Sequence, residues 1–235
     1  MTEREEFFIV AGYRATVLIP ENANGEWLWK TEFFHAFDKA EQDLYLMGYT
    51  RVYYEISDKY GSPQAIKLMD GFYHELIKRY SFLDKKCHLI GFSRGGLYAF
   101  NFVMAYPQRV KSVYLDAPVL DLRSWPRTDP KFGELDLHEQ VMKEYGFKSE
   151  EEFENYGCYP VWRLAEYFKL NIPTLLIAGS DDTTVTYSEN SQRMIGYCAA
   201  RDKPFIFYVK LGADHHPHSF GNTGGIDMYG RAYPE

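Results

Sequence analysis

A serine, an aspartate and a histidine that lie far apart in the chain have the residue types needed for acyl transfer. Ser93 lies in the pentapeptide GFSRG, between an apolar run typical of a strand and an apolar run typical of a helix. Asp182 and His215 follow much later. A histidine can take the proton of a serine hydroxyl when a carboxylate fixes the tautomer of its ring. These three residues are therefore candidates for nucleophile, acid and base.

The glycines around Ser93 predict a sharp turn from a strand into a helix. They fit the pattern G-x-S-x-G, in which the small residues let the two backbones approach each other. Such a turn presents the serine hydroxyl above the sheet, and the helix behind it directs backbone N–H groups towards a developing oxyanion. The backbone N–H of Arg94 is the first expected oxyanion donor.

The candidate acid and base each follow a predicted strand. Asp182 comes after PTLLIAG, and His215 comes after FIFYVKLG. Because open α/β sheets place their sites at the carboxyl ends of the strands, we expect both side chains at the edge where Ser93 lies. Asp181 competes with Asp182 for the role of acid, and Asp116, at the end of the run VYLDAP, is a further candidate.

The histidines of HHPHS raise the alternative of a metal site. His215 and His218 are three residues apart, a spacing that can place two ligands on one helix face. Pro217 disrupts a helix there, and no E-x-x-H or C-x-x-C pattern accompanies them. We therefore expect no metal and no cofactor.

The elements that must position these residues alternate between strand and helix patterns. Buried-type strands separated by amphipathic helices predict a parallel sheet covered on both faces, an α/β fold that forms a three-layer α/β/α sandwich with a mostly parallel sheet. The predicted strands are FFIV and ATVLIP around Ala11-Gly12, YTRVYYEI, KKCHLIGF, VKSVYLDAP, PTLLIAGS and PFIFYVKLG; the predicted helices start near Thr31, Ser62-Pro63, Gly95 and Tyr187.

Residues 119–170 do not follow this alternation. They show no strand pattern and contain the pattern of a capping box at Ser149 and Glu152. Long segments of this kind inside an α/β domain are usually functional lids. We expect a single domain, 1–235, with a cap insertion at about 119–170; the alternative is a surface excursion without a catalytic role.

The order Ser93, Asp182, His215 resembles that of the α/β-hydrolase superfamily over nearly the whole chain. Within the superfamily the chain resembles small esterase-like proteins that carry GFSRGG, YLDAP, G-x-x-D-x-x-V and HHPHS. The resemblance implies that Ser93 is the nucleophile, Asp182 the acid and His215 the base. The oxyanion loop of the family usually contains His-Gly, whereas residues 20–27 here read PENANGEW, so we place the second oxyanion donor at Glu26 or Trp27.

By this resemblance the expected function is a serine hydrolase that cleaves a small or carbohydrate-linked carboxylic ester. Trp27, Trp29 and Trp125 on loops near the site would offer a flat face to a sugar ring, and the alternative for any one of them is that it only packs the cap onto the domain. A serine peptidase or other acyl hydrolase of the same fold is the first alternative. A hydrolase-fold binding protein with a vestigial triad is the second.

Composition restricts the partners. The 235 residues carry a net charge of −7, and their lysines and arginines are scattered, which argues against nucleic acid. No apolar run reaches the length of a membrane span, and the charged start lacks a signal-like region, which predicts a cytoplasmic protein without a membrane partner. The three cysteines match no zinc motif. The sequence does not indicate an oligomeric state.

Overall fold

An eight-stranded sheet forms the centre of the molecule. The computed structural model describes residues 4–126, 135–199 and 201–220. The strands lie in the order β1-β2-β4-β3-β5-β6-β7-β8. Their bounds are β1 Arg4–Val10, β2 Tyr13–Ile19, β3 Trp27–Lys30, β4 Thr50–Tyr54, β5 Cys87–Phe92, β6 Val110–Asp116, β7 Thr174–Gly179 and β8 Phe205–Lys210.

The sheet is antiparallel at one side and parallel elsewhere. β1 and β2 form a hairpin whose turn residues, Ala11 and Gly12, both have positive φ, the backbone region that two-residue hairpin turns use. β2 also pairs antiparallel with β4, and every pair from β4 to β8 is parallel. The predicted mostly parallel sheet is thus confirmed.

Helices cover both faces of the sheet, and the alternation of side chains along the strands explains why. In β5, Leu89 packs into the large core with α2 and α3, whereas Ile90 packs on the opposite face with Leu44 of α1. The helices are α1 Lys39–Leu46, α2 Pro63–Arg79, α3 Gly95–Ala105, α4 Leu135–Tyr145, α5 Glu150–Glu154, α6 Leu164–Lys169 and α7 Ser191–Cys198.

The segment between β2 and β4 differs from the sequence-based prediction. Residues 27–30, expected in a loop, form the central strand β3, and the helix expected from Thr31 begins only at Lys39. Residues 31–38 form a loop in which Phe33 and Phe37 have positive φ, a conformation that no helix contains. Tertiary contacts hold this loop: Thr31 Oγ1 donates to Gly95 O at 2.9 Å, and Lys30 Nζ donates to Ala36 O at 2.7 Å.

The described part of residues 119–170 contains helices and no strand. The start of this segment contacts the turn that carries Ser93: the Val119 N–H donates to Ser93 O at 2.9 Å. Its helix α4 forms two hydrogen bonds with the loop before α2. The Tyr145 hydroxyl donates to Tyr60 O at 2.9 Å, and the Tyr60 hydroxyl donates to Gln140 Oε1. Among the described helices, none combines the length and apolar character needed to cross a membrane.

Candidate active site

Ser93 lies on a strained turn between β5 and α3. Its φ of 50° is unusual for a residue with a side chain. The turn closes tightly because Gly95 and Gly96 lack Cβ atoms. A Cβ at Gly95 would lie 2.8 Å from Thr31 Oγ1, and one at Gly96 would lie 2.5 Å from Pro118 Cβ. The loop after β3 therefore packs directly against the start of α3.

The structure brings the three predicted residues together in one hydrogen-bonded relay. His215 Nε2 lies 3.0 Å from Ser93 Oγ, and His215 Nδ1 lies 2.7 Å from Asp182 Oδ2. Asp182 and His215 are both buried. Because the carboxylate can only accept, Nδ1 carries the proton and Nε2 presents its lone pair to the serine hydroxyl. The arrangement can abstract the hydroxyl proton.

Backbone donors fix the orientation of the acid. Asp182 Oδ1 accepts the N–H groups of Thr184 at 3.0 Å and Val185 at 2.8 Å, which leaves Oδ2 for His215. Asp181, the competing candidate, is exposed and accepts the Ser180 hydroxyl instead.

The third candidate acid serves another histidine. Asp116 is fully buried at the end of β6, and its Oδ1 lies 2.8 Å from Nδ1 of His218. Its Oδ2 accepts the Tyr114 hydroxyl and the Ser219 N–H. Asp116, the rival candidate for the acid, therefore does not pair with His215, because its carboxylate accepts hydrogen bonds from His218, Tyr114 and Ser219.

Asp214, which the sequence did not single out, joins the loop after β7, which carries Asp182 (the acid loop), to the loop after β8, which carries His215 (the base loop). Its Oδ1 accepts the N–H of Thr183 at 3.1 Å and the N–H of His215 at 2.8 Å. These two backbone donors lower the pKa of Asp214, so its carboxylate is charged at neutral pH while it bonds both loops. The local signal was an aspartate directly before the base in a turn, a position where such side chains often bond backbone N–H groups.

An ion pair between buried Glu32 and partly exposed Arg94 lies beside the nucleophile. Glu32, in the loop after β3, accepts from Arg94 Nε and Nη2, both at 3.3 Å, and from Ser57 Oγ at 3.0 Å. Burial raises the pKa of Glu32, and the Arg94 guanidinium opposes that shift. The same guanidinium lies 5.2 Å from the centre of the Phe33 ring, which is partly exposed.

The predicted second oxyanion donors lie at the wrong end of β3. Glu26 precedes the strand, and its carboxylate bonds His88 at 2.9 Å and pairs with Lys111, both at the amino end of the sheet. Trp27 is the first residue of β3, where its ring is buried and its Nε1 donates to Asp84 O at 2.8 Å. Neither lies at the carboxyl edge that carries Ser93.

The tryptophans expected to bind substrate are core residues. The rings of Trp27 and Trp29 are buried and stack on each other with centroids 5.9 Å apart. Trp125 is only 6% exposed and packs near Tyr60, with ring centroids 6.4 Å apart. The prediction of a flat aromatic face is wrong for Trp27 and Trp29, because a four-residue strand buried on both faces, not a loop, carries them.

Comparison with known proteins identifies the family. Residues 48–228 match the sequence model of the prolyl oligopeptidase family. The chain belongs to this family. Because that family has the α/β-hydrolase fold, the predicted membership of the α/β-hydrolase superfamily is confirmed. No curated protein matches the chain.

Solved structures with the same fold include three peptidases. An acylaminoacyl peptidase in complex with Z-Gly-Gly-Phe-chloromethyl ketone is 16% identical, with a TM-score of 0.64 over 92% of this chain and 38% of that one. A puromycin-hydrolyzing peptidase of Mycobacterium tuberculosis is 15% identical, with a TM-score of 0.69 over 91% and 36%. The acylaminoacyl peptidase of Pyrococcus horikoshii is 14% identical, with a TM-score of 0.64 over 92% and 38%. The chain thus spans less than two fifths of the length of these structures.

Proposed function

We propose that this protein is a serine hydrolase that cleaves peptide or other amide bonds of small acyl substrates through an acyl-enzyme at Ser93. The observation that carries the proposal is the continuous relay from Ser93 Oγ through His215 to Asp182, with distances of 3.0 and 2.7 Å. Membership of the prolyl oligopeptidase family supports a peptidase over the carboxylic esterase expected from the sequence. The burial of the tryptophans removes the argument for a carbohydrate-linked ester.

The geometry accounts for each proton in the reaction. As Ser93 Oγ attacks the carbonyl carbon, its proton passes to Nε2 of His215, and the carboxylate of Asp182 stabilises the imidazolium. When the tetrahedral intermediate collapses, the C–N bond breaks and Nε2 gives its proton to the leaving nitrogen. Water then attacks the acyl-enzyme, His215 takes the proton of the water, and that proton returns to Ser93 Oγ as the acid product leaves.

Two backbone N–H groups beside Ser93 would stabilise the oxyanion. One belongs to Arg94, which follows the nucleophile at the start of α3. The other would belong to the loop after β3. Lys30, the last residue of β3, pairs with Ile90 of β5, so the loop after β3 leaves the sheet beside the end of β5, and its Phe33 ring lies 5.2 Å from the guanidinium of Arg94, the neighbour of Ser93. Phe33, rather than Glu26 or Trp27, is the residue that we assign as second donor.

The surroundings of Ser93 suggest where the acyl side chain would bind. The partly exposed ring of Phe33 and the Arg94 guanidinium held by Glu32 form a surface that is both apolar and cationic. A substrate with an aromatic or apolar side chain fits such a surface. One peptidase with this fold is in complex with Z-Gly-Gly-Phe-chloromethyl ketone and another is described as puromycin-hydrolyzing, and both compounds are compatible with that class.

The strain at Ser93 favours catalysis over a vestigial binding role. A left-handed backbone at a residue with a side chain costs about 1–3 kcal/mol, and such strain collects at working sites. A protein that used the fold only for binding would have no reason to keep this cost together with an intact relay.

A labelling and substrate experiment tests the proposal. We expect aminoacyl and short peptidyl p-nitroanilides to be cleaved, fluorophosphonate to label Ser93, and short p-nitrophenyl esters to react as activated substrates. Ser93→Ala should abolish cleavage and labelling, whereas Ser81→Ala, at an exposed serine away from the relay, should change neither. Turnover of esters without any amide cleavage would return the assignment to an esterase, and the absence of both activities and of labelling would refute a hydrolase.

A further inference from the structure

Three histidine rings form a compact cluster that includes the base of the relay. The ring centroids of His215, His216 and His218 lie 4.8, 4.9 and 5.0 Å apart, and each pair is edge to face. Three imidazoles that bind one tetrahedral zinc ion, with Zn–N distances of about 2.0–2.1 Å, have ring centroids about 5 Å apart. The ring centroids therefore lie at the distances expected around one such ion, and only the ring nitrogens still have to converge.

Two of these rings have the carboxylate partner that metal-binding histidines require. Nδ1 of His215 lies 2.7 Å from Asp182, and Nδ1 of His218 lies 2.8 Å from Asp116. Each carboxylate holds the proton on Nδ1 and leaves the lone pair on Nε2. Such outer carboxylates orient ligating imidazoles and raise their basicity.

Rotation of the His216 side chain can bring the three ring nitrogens close enough to bind one ion. One ring nitrogen from each histidine lies within 4.8 Å of the others, whereas tetrahedral ligand nitrogens are about 3.3 Å apart. His216 is exposed, so its side chain can rotate inwards, while His215 and His218 are buried and held by their carboxylates. The ring of Phe37 stacks on His216 at 5.4 Å and meets the edge of His218 at 5.2 Å, which supports the cluster from one side.

The sequence predicts no metal, because Pro217 disrupts a helix and no E-x-x-H or C-x-x-C pattern accompanies the histidines. The three histidines instead lie in a loop, which brings their rings together without helical spacing. The proline therefore gives no reason to exclude a metal site here.

We propose that His215, His216 and His218 form an inhibitory site for a zinc-type divalent cation. Its regulatory role rests on the proposed function, because the cation would occupy the Nε2 lone pair that otherwise faces Ser93 Oγ at 3.0 Å. A metal-bound His215 cannot accept the serine proton, so hydrolysis stops. Only coordination bonds form, and removal of the cation restores the base.

Zinc titration of the Ser93→Ala protein tests binding independently of turnover. Calorimetry should find one Zn²⁺ per chain at this site. His216→Ala should weaken binding by at least about tenfold, and so should His218→Asn, whose amide still donates to Asp116 but lacks Nε2. His74→Ala removes an exposed histidine on α2 and should bind as the Ser93→Ala parent does. Unchanged affinity in His216→Ala, or affinity lost only with the exposed thiol in Cys158→Ser, would overturn the site.

Inhibition of the active protein tests the role of the site. Zn²⁺ should inhibit the unsubstituted enzyme and EDTA should restore its rate, whereas His216→Ala should keep the uninhibited rate and need at least about tenfold more Zn²⁺. Equal zinc sensitivity in the two proteins would overturn the inhibitory site while leaving the proposed function intact. Zinc binding to Ser93→Ala without hydrolysis by the unsubstituted protein would support the site and overturn its inhibitory role together with the proposed function.

Discussion

Replacing Asp182 with asparagine should inactivate the relay without disturbing the fold. Oδ1 of Asp182 accepts the N–H groups of Thr184 and Val185 at 3.0 and 2.8 Å, and only an oxygen can replace it there. In Asp182→Asn the amide oxygen therefore faces these donors, and the NH₂ group faces Nδ1 of His215. Because NH₂ only donates, Nδ1 must give up its proton, and the proton moves to Nε2, opposite Ser93.

The size of the effect follows from this forced tautomer. A flipped amide would restore the His215 contact but would leave two backbone N–H groups of the acid loop facing another donor, at about 1–3 kcal/mol each. The wrong tautomer is therefore dominant, and Nε2 cannot accept the proton of Ser93. The corresponding substitution in serine proteases lowers kcat by about 10⁴-fold, or about 5.5 kcal/mol, and we expect a loss of that order.

Steady-state kinetics on the best p-nitroanilide, with thermal unfolding in parallel, measure this loss. Asp181→Asn is the matched control, because Asp181 is exposed and bonds only the neighbouring Ser180 among the contacts seen for its side chain. It should keep kcat and KM, and both variants should unfold near the temperature of the unsubstituted protein. The reasoning is refuted if Asp182→Asn retains kcat within about tenfold, or if Asp181→Asn loses more.

Two further predictions concern stability. Gly96→Ala should lower the free energy of unfolding by about 1–3 kcal/mol, because its Cβ would lie 2.5 Å from the Cβ of Pro118. Gly71→Ala, inside α2 with nothing within 4 Å of the new Cβ, should raise the free energy of unfolding by about 0.5–1 kcal/mol. Urea titrations measure both values, and a more stable Gly96→Ala than Gly71→Ala would contradict the prediction. Burial lowers the pKa of His88 from 6.5, so its contribution to stability is complete above pH 6.5 and is lost as the pH falls towards the lowered pKa. Thermal unfolding of His88→Gln should depend less on pH below 6.5, and an unchanged profile would exclude His88 as the cause.

Helix starts and tight turns were predictable from the sequence where a local residue preference agrees with the tertiary contacts. Ser62 and Pro63 start α2 as expected, with Ser62 Oγ accepting the Ala65 N–H at 3.2 Å. The turn at Ala11-Gly12 closes the first hairpin as the composition of a tight turn requires. In both places one or two residues have a local hydrogen-bonding or dihedral preference that the rest of the fold does not override.

The segment from Trp27 to Asp38 differs from its prediction because the spacing of its aromatic residues resembles that of a helix. Phe33, Phe34 and Phe37 stand near helical spacing, yet Phe33 and Phe37 have positive φ. Thr31 and Glu32, at the start of the same loop, lie against Gly95 of α3. The central strand Trp27–Lys30 is only four residues long and buried throughout, so it shows no alternation between polar and apolar positions. Because the strand Trp27–Lys30 was not predicted and a helix was expected from Thr31, the oxyanion loop was expected before β3, whereas the loop beside Ser93 follows β3.

The relay itself was predictable because parallel strands bring their carboxyl ends to one edge. The choice between Asp181 and Asp182 was less accessible from local sequence, since both follow the same strand. The structure separates them through the backbone N–H groups that bind Oδ1 of Asp182. The oxyanion loop could not be located in this way, because its position depends on the register between β3 and β5.

Asp116, the rival candidate for the acid, makes hydrogen bonds both to the turn that carries Ser93 and to the loop that carries His215. Its backbone oxygen accepts the Ser93 N–H at 2.9 Å, which helps to hold the strained turn. Its carboxylate binds His218 and the Ser219 N–H in the loop that also carries His215. One buried residue at the end of β6 is thus bonded to both loops of the relay. The same contact orients His218 beside His215, so the packing that positions the base also creates the cluster of imidazoles that we assign to a cation.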